Sequence, residues 1–120
     1  MHVWVAPGGD GRNLLLDLAG TLVGSPVLTH DSTGRPHIPG LSVSLSYSGS
    51  LVVAAASYDG PVGVDVEQVY PREIGRLAER RFRPTELAWM AEQPDKLVAF
   101  LQLWTAKEAV GKALGHGLHN

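Results

Sequence analysis

The sequence predicts an α+β fold in which antiparallel strands come first and helices follow. Short apolar stretches with a period of two, separated by turns rich in glycine, proline and aspartate, run as far as residue 67. Beyond Pro71 the apolar residues recur every three or four positions, which is typical of helices. In a chain of 120 residues, strands followed by helices indicate a single α+β domain.

The first part of the chain is predicted to hold short strands and one buried helix. Residues 2–6 form a strand that a glycine-rich turn closes, and an apolar run predicts a helix over residues 13–23 that Gly24 ends. A turn at residues 59–61 closes this part of the chain. Three more strands are expected before that turn, at residues 27–30, 41–46 and 50–57.

Two carboxylates one residue apart mark the next predicted strand. Valines at positions 62, 64 and 66 alternate with Gly63, Asp65 and Glu67. A strand would put the valines on one face and both acids on the other, with the carboxylates roughly 7 Å apart. Two like charges so close repel each other unless a positive group lies between them. An edge strand with a solvent-facing acidic side would explain the same pattern, so the motif alone leaves both interpretations open.

The chain beyond Pro71 is predicted to form three helices, at residues 72–82, 85–92 and 95–114. Asp95 is the expected N-cap of the last helix. Its apolar stripe reaches Trp104, and the next position on that stripe is Glu108. A buried glutamate must be neutral, paired or metal-bound, because burying a lone carboxylate is expensive. Glu108 can form an ordinary surface pair with Lys112, four residues on, or it can be a third oxygen ligand beside the two earlier acids.

The residue types favour one class of metal site. An all-carboxylate set formed by Asp65, Glu67 and Glu108 suits Mg²⁺, with Mn²⁺ as the alternative. Zinc is disfavoured because the chain has no cysteine and neither motif contains a histidine. Mg²⁺ keeps coordination positions open for water and phosphate oxygens, so the sequence points to phosphoryl-group chemistry.

These motifs resemble the paired signature of the 4′-phosphopantetheinyl transferases, in the order typical of their surfactin-synthetase-activating (Sfp-like) subgroup. The two main segments are Gly63–Glu67 and Trp104–Lys112. Four shorter segments also match, at residues 34–36, 43–49, 83–86 and 115–118. The resemblance covers about residues 33–118 and implies that family's α+β fold. Residues 1–61 would then be the end of the family's first half, and residues 62–120 a shortened second half.

The resemblance implies an enzyme that transfers the 4′-phosphopantetheine arm of coenzyme A to a serine of an acyl or peptidyl carrier protein. The serine attacks the β-phosphate and 3′,5′-ADP leaves. By position, the resemblance assigns Mg²⁺ binding to Asp65, Glu67 and Glu108. It assigns catalytic roles to Glu86, as the general base, and to Lys107. It assigns coenzyme A contacts to Arg35, Ser46, Tyr47 and Lys112.

Two of these residues also admit simpler interpretations. Family members carry a histidine at the position of Tyr47, and a phenol can donate a hydrogen bond but carries no positive charge. The tyrosine ring can equally pack against the sheet. Glu86 follows Pro84, and an acid in the first turn of a helix is ordinary helix-start chemistry.

Composition and charge bound the partners. With 44% hydrophobic and 18% charged residues, the sequence describes a soluble globular protein, and a formal charge of −2 gives no bias towards nucleic acid or membrane. The absence of cysteine fits a reducing compartment, and the first residues resemble neither a signal peptide nor a membrane span, so we expect a cytoplasmic protein. Five of the ten basic residues lie between positions 72 and 83. Arg72, Arg76 and Arg80 would form one helix face, either a docking surface for an acidic carrier protein or an ordinary solvated face.

Members of this subgroup are usually nearly twice as long as this chain and bind coenzyme A between two similar halves. We therefore expect a homo-oligomer in which a second copy supplies the other wall of the cleft. Two alternative functions remain open: a non-catalytic remnant or regulatory module that binds carrier protein, and a Mg²⁺-dependent phosphohydrolase.

Overall fold

A computed structural model describes residues 1–115, and its antiparallel strands and C-terminal helices confirm the α+β class. The strands are β1 His2–Pro7, β2 Thr29–His30, β3 Pro36–His37, β4 Ser42–Ser48 and β5 Leu51–Ser57. The helices are α1 Gly11–Gly20, α2 Gly75–Arg81, α3 Pro84–Glu92 and α4 Lys96–Ala113. The main sheet has the order β1–β5–β4, and β2 and β3 form a separate hairpin.

β5 is the centre of the molecule because it is buried on both faces. Ala54 and Ala56 face α1 and pack with Leu15 and Leu18 of that helix, so this side is called the α1 face. Val53 and Ala55 point to the other face, where they pack against valines of residues 62–66. β5 follows β4 through a two-residue turn whose first residue, Gly49, has a φ of +56°, a conformation that glycine adopts without strain.

The predicted strands before residue 58 are confirmed, and the local differences have simple causes. The first helix spans Gly11–Gly20 rather than residues 13–23, because the Asp10 side chain accepts a hydrogen bond from the Asn13 backbone N–H and caps it earlier. The strand expected at residues 27–30 shortens to β2, whose partner β3 had not been predicted. Strands of two residues carry too little periodicity to be seen in a sequence.

The prediction that residues 62–67 form a strand is wrong. The alternation exists, since Val62 and Val64 are buried while Asp65 is only partly buried, but residues 61–67 have no strand partner among the described residues 1–115. This stretch, here called the carboxylate segment, lies across the sheet face opposite α1. Its backbone N–H groups are bound by serine side chains of β4 instead of by a neighbouring backbone.

Helices α2, α3 and α4 pack around a third apolar cluster. Phe100 is almost fully buried, with its ring centroid 5.3 Å from that of Phe82 and 5.8 Å from that of Trp104, so the predicted stripe on α4 is confirmed. Asp95 caps α4 through the Val98 N–H, as expected. The helix predicted at residues 72–82 begins only at Gly75. Of the predicted 115–118 loop, only Gly115 lies within the described residues.

Gly63 joins the two parts of the fold by close contact with α4. A Cβ atom at position 63 would come within 1.8 Å of the Ala109 carbonyl oxygen and 2.7 Å of the Ala113 nitrogen. Both are backbone atoms of a regular helix and cannot move aside cheaply. Only glycine therefore allows the carboxylate segment to lie this close to α4. Across residues 1–115, no helix has the length and apolarity needed to cross a membrane.

We expect Gly63→Ala to destabilise the protein by about 3 kcal/mol or more, the upper range for overpacking, because backbone would have to shift. Urea unfolding of the variant measures this change. Gly20→Ala is the matched control, since a Cβ there meets no atom within 4 Å and alanine suits a helix. Equal stability of wild type and Gly63→Ala would contradict the close contact.

Candidate active site

The acid of the carboxylate segment that reaches the sheet is Asp65. Its Oδ1 accepts a hydrogen bond from the Ser46 hydroxyl at 3.2 Å and lies 3.4 Å from the Lys112 Nζ. The same Ser46 oxygen accepts from the Val66 N–H at 3.1 Å, so one hydroxyl fixes both the backbone and the carboxylate. We call Ser46, Asp65 and Lys112 the Asp65 cluster.

The second oxygen of Asp65 is the unsatisfied atom of this cluster. Oδ2 is buried and has no hydrogen-bond partner within residues 1–115. Only 11% of the side chain is exposed, so solvent reaches little of it. A buried polar atom without a partner is unusual and costs free energy. A hard divalent cation would give this oxygen a partner, so Asp65 is suited to bind magnesium.

The other two predicted metal ligands do not converge on Asp65. Glu67 turns towards Arg72, with 3.9 Å between Oε2 and Nη1. Glu108 is half-buried and forms no ion pair with any described residue. Lys112, its expected partner, pairs with Asp65 instead. Within the described part of the chain, no three acidic or histidine side chains lie close enough together to hold a metal ion. The three-ligand site therefore stays a prediction.

A chain of contacts leads from the β2–β3 hairpin to Lys112. The Asp31 carboxylate accepts hydrogen bonds from the Thr33 side chain and from the backbone N–H groups of Arg35 and Thr33, and these bonds lower the pKa of Asp31. The turn so formed presents Arg35, whose guanidinium donates to the Lys112 carbonyl oxygen near the end of α4. A cation at this end of a helix also interacts favourably with the helix dipole. Arg35 and Lys112, both predicted coenzyme A contacts, thus lie next to each other.

The two predicted catalytic residues form a separate ion pair. Glu86 Oε1 lies 2.9 Å from Lys107 Nζ and accepts a hydrogen bond from the Arg83 N–H at 2.7 Å. That backbone bond first, and the Lys107 ammonium second, hold the pKa of Glu86 below its ordinary value, although partial burial opposes them. Glu86 therefore does cap α3, as its position after Pro84 suggested. The Glu86–Lys107 pair also borders an open groove of about 370 Å³ along α4.

The Asp65 cluster and the Glu86 pair lie on different sides of α4. Lys107 and Lys112 are five residues apart, which places their side chains about 140° apart around the helix axis. The structure thus divides the predicted site residues into two groups and does not gather them in one pocket.

Tyr47 does not join either group. Its neighbours in β4 alternate between the two faces of the sheet, and Ser46 points to the carboxylate segment. The Tyr47 ring extends to the opposite face and covers Gly11, where its hydroxyl would lie 2.1 Å from an added Cβ. This geometry favours the packing interpretation, and a contact between Tyr47 and coenzyme A stays a prediction.

The predicted basic face needs one correction. Arg72 precedes α2, donates to the Gln68 carbonyl oxygen and places its guanidinium 3.8 Å from the centroid of the Tyr70 ring. Because Arg72 folds back in this way, it does not stack with Arg76 and Arg80. These two residues are exposed on α2 and form what remains of the face.

Two features of the site were missed in the sequence. Ser44 binds the Val64 N–H at 3.2 Å, as Ser46 binds that of Val66. The signal was present, because serine occupies every second position of β4, from Ser42 to Ser48. The pairing of Arg72 with Glu67 had no such signal, since it depends on the path of an irregular connection.

Comparison with known proteins gives consistent matches. A family model of the 4′-phosphopantetheinyl transferase superfamily matches residues 61–120. The 4′-phosphopantetheinyl transferase HetI of Nostoc is 33% identical over 96% of this chain and 52% of its own length. The transferase psf-1 of Bacillus pumilus is 32% identical over 87% of the chain and 53% of its own length. AcpT of Salmonella typhi is 38% identical over 75% of the chain and 50% of its own length. The chain spans about half the length of these curated relatives.

We expect the Glu86 carboxylate to stabilise the fold above the ordinary pKa of a glutamate. Since the folded pKa is lowered, this contribution should disappear as the pH falls from about 5 through the folded pKa. Urea unfolding of wild type and Glu86→Gln between pH 7 and pH 3 measures it. The stability difference between the two proteins should shrink towards low pH. A difference that does not change with pH would contradict the ionised cap.

Proposed function

The chain belongs to the 4′-phosphopantetheinyl transferase superfamily, as its motifs predicted, and we propose that it carries out Mg²⁺-dependent transfer of phosphopantetheine from coenzyme A to a carrier protein. The chain spans about half the length of these relatives, so its transferase activity is our proposal and is not carried over from them. The acceptor is a serine of an acyl or peptidyl carrier protein.

The observation that carries the proposal is the arrangement of Asp65. This acid lies within the matched residues 61–120, and its Oδ2 is buried without a partner while Oδ1 is held by Ser46 and Lys112. Purely structural carboxylates rarely leave a buried oxygen unsatisfied. Asp65, together with Glu67 and Glu108 after their side chains turn, would hold Mg²⁺. When bound, the ion would neutralise the charge of the diphosphate.

The cationic side chains fit the substrate. Arg35 and Lys112 lie together at the end of α4, where they could bind phosphate oxygens of coenzyme A. They line a small cavity of about 200 Å³ between the β2–β3 hairpin and β4. Phosphoryl transfer needs this kind of positioning and charge stabilisation more than covalent help from the protein.

Glu86 is the proposed proton acceptor. The carrier serine oxygen forms a bond to the β-phosphorus, the bond from that phosphorus to the 3′,5′-ADP oxygen breaks, and the serine proton passes to the Glu86 carboxylate. The lowered pKa of Glu86 keeps it ionised at neutral pH, which a base requires, although it also makes the base weaker. Lys107, 2.9 Å away, holds the carboxylate in place.

A second copy of the chain is proposed to complete the site. Val3 and Val5 of β1 are exposed on the sheet face opposite α1, where 45% and 61% of their surfaces are accessible. Apolar residues exposed beside an unpaired strand edge favour association. We infer that a dimer, rather than one chain, forms both walls of the coenzyme A cleft.

The test is to incubate the protein with an apo carrier protein, coenzyme A and Mg²⁺, and to weigh the carrier. We expect a mass gain of one phosphopantetheine, with a rate that rises more steeply than protein concentration if two copies form the cleft. Asp65→Asn should lower the rate by at least about a hundredfold, the effect of losing one key charge-stabilising group. Asp17→Asn, an exposed acid on α1, is the matched control.

The other outcomes select other functions. Binding of the carrier without a mass gain would reject the transferase and favour a regulatory module. Release of phosphate without modification would favour a phosphohydrolase. A normal rate for Asp65→Asn would remove Asp65 from the metal site.

Carrier docking is proposed to use the exposed Arg76 and Arg80 of α2. If the carrier is acidic there, reversing both charges to glutamate should lower the association rate about tenfold at low salt, and the loss should shrink at high salt. Stopped-flow or surface-based kinetics measure this rate. Arg12→Glu reverses an exposed charge on α1 as a control. An equal fall for both variants would indicate a general charge effect and no docking face.

A further inference from the structure

Lys112 already occupies the position next to the metal-binding acid. Its ammonium lies 3.4 Å from Asp65 Oδ1 and donates to the Leu45 carbonyl oxygen at 3.2 Å. This differs from the pairing with Glu108 that the sequence suggested. The positive charge of Lys112 therefore compensates the same carboxylate that a divalent cation would use.

The backbone of Lys112 is held close to this carboxylate. Its carbonyl oxygen accepts from Arg35, and the last turns of α4 lie against Gly63. Asp65 is also fixed, since Ser46 holds Oδ1. A cation that binds Oδ2 then shares the Asp65 carboxylate with the Lys112 ammonium. Two positive charges on one carboxylate repel each other.

An anionic ligand removes this conflict. A phosphate group beside Lys112 gives the ammonium a second negative partner, and the combined negative charge favours a divalent cation. Binding of the cation and binding of the phosphate ligand then assist each other, and this assistance is reciprocal.

We propose that Lys112 couples the two binding events: it keeps the affinity for the divalent cation low until a phosphate-bearing ligand binds. The inference rests on the proposed function, because it takes Asp65 as a metal ligand. It adds a role for Lys112 beyond the simple phosphate contact implied by the resemblance.

Mn²⁺ binding measured by electron paramagnetic resonance, without coenzyme A, tests the first half of this coupling. Lys112→Gln removes the charge and keeps a donor for the Leu45 carbonyl. We expect it to bind Mn²⁺ at least about tenfold more tightly than wild type, because the repulsion is gone. Lys96→Gln is the matched control: it makes the same substitution at an exposed lysine at the other end of the same helix.

Calorimetric titration with coenzyme A, with and without Mg²⁺, tests the second half. The enhancement of coenzyme A affinity by Mg²⁺ should be smaller in Lys112→Gln than in wild type. Mn²⁺ affinity in Lys112→Gln that equals or falls below that of wild type would overturn the coupling and leave the transferase proposal intact. Unchanged Mn²⁺ binding in Asp65→Asn would overturn the coupling together with the metal assignment, while the carrier mass assay would still decide on transfer.

Discussion

Two serine hydroxyls of β4 hold the carboxylate segment against the sheet, and the site depends on these hydrogen bonds. Ser44 and Ser46 bind the N–H groups of Val64 and Val66, the positions on either side of Asp65. The serine hydroxyls thus accept the hydrogen bonds that the backbone carbonyls of a neighbouring strand would otherwise accept. The valines can then pack on β5 while the acid stays at the edge of the apolar layer.

The same segment connects the sheet to the helices. Gly63 lets it touch the backbone of α4, and this contact brings Lys112 to Asp65 across 47 residues of sequence. Arg35 of the β2–β3 connection also binds the end of α4 and lines a cavity together with Pro61 and Val62 of that segment. Polar contacts therefore join the carboxylate segment, the β2–β3 hairpin and α4. Such an arrangement suits a binding site, because its polar contacts can be exchanged for contacts to a charged ligand.

The predicted site residues face two different sides of α4. The Asp65 cluster faces the sheet and the hairpin, whereas Glu86 and Lys107 face an open groove on another side of α4. In the proposed dimer, coenzyme A would extend from Arg35 and Lys112 towards Glu86.

The sequence by itself determined the α+β class, most strands, the N-cap Asp95, the helix start at Pro84, the apolar stripe of α4 and the family, because these depend on local periodicity and short motifs. Only the tertiary structure decided that the acidic stretch lies outside the sheet, that Lys112 pairs with Asp65 and that Tyr47 packs on α1. Local patterns indicate which face a side chain takes, but not which distant charge it meets. That choice was made by the approach of α4 to Gly63, a contact between backbones that leaves no periodic trace.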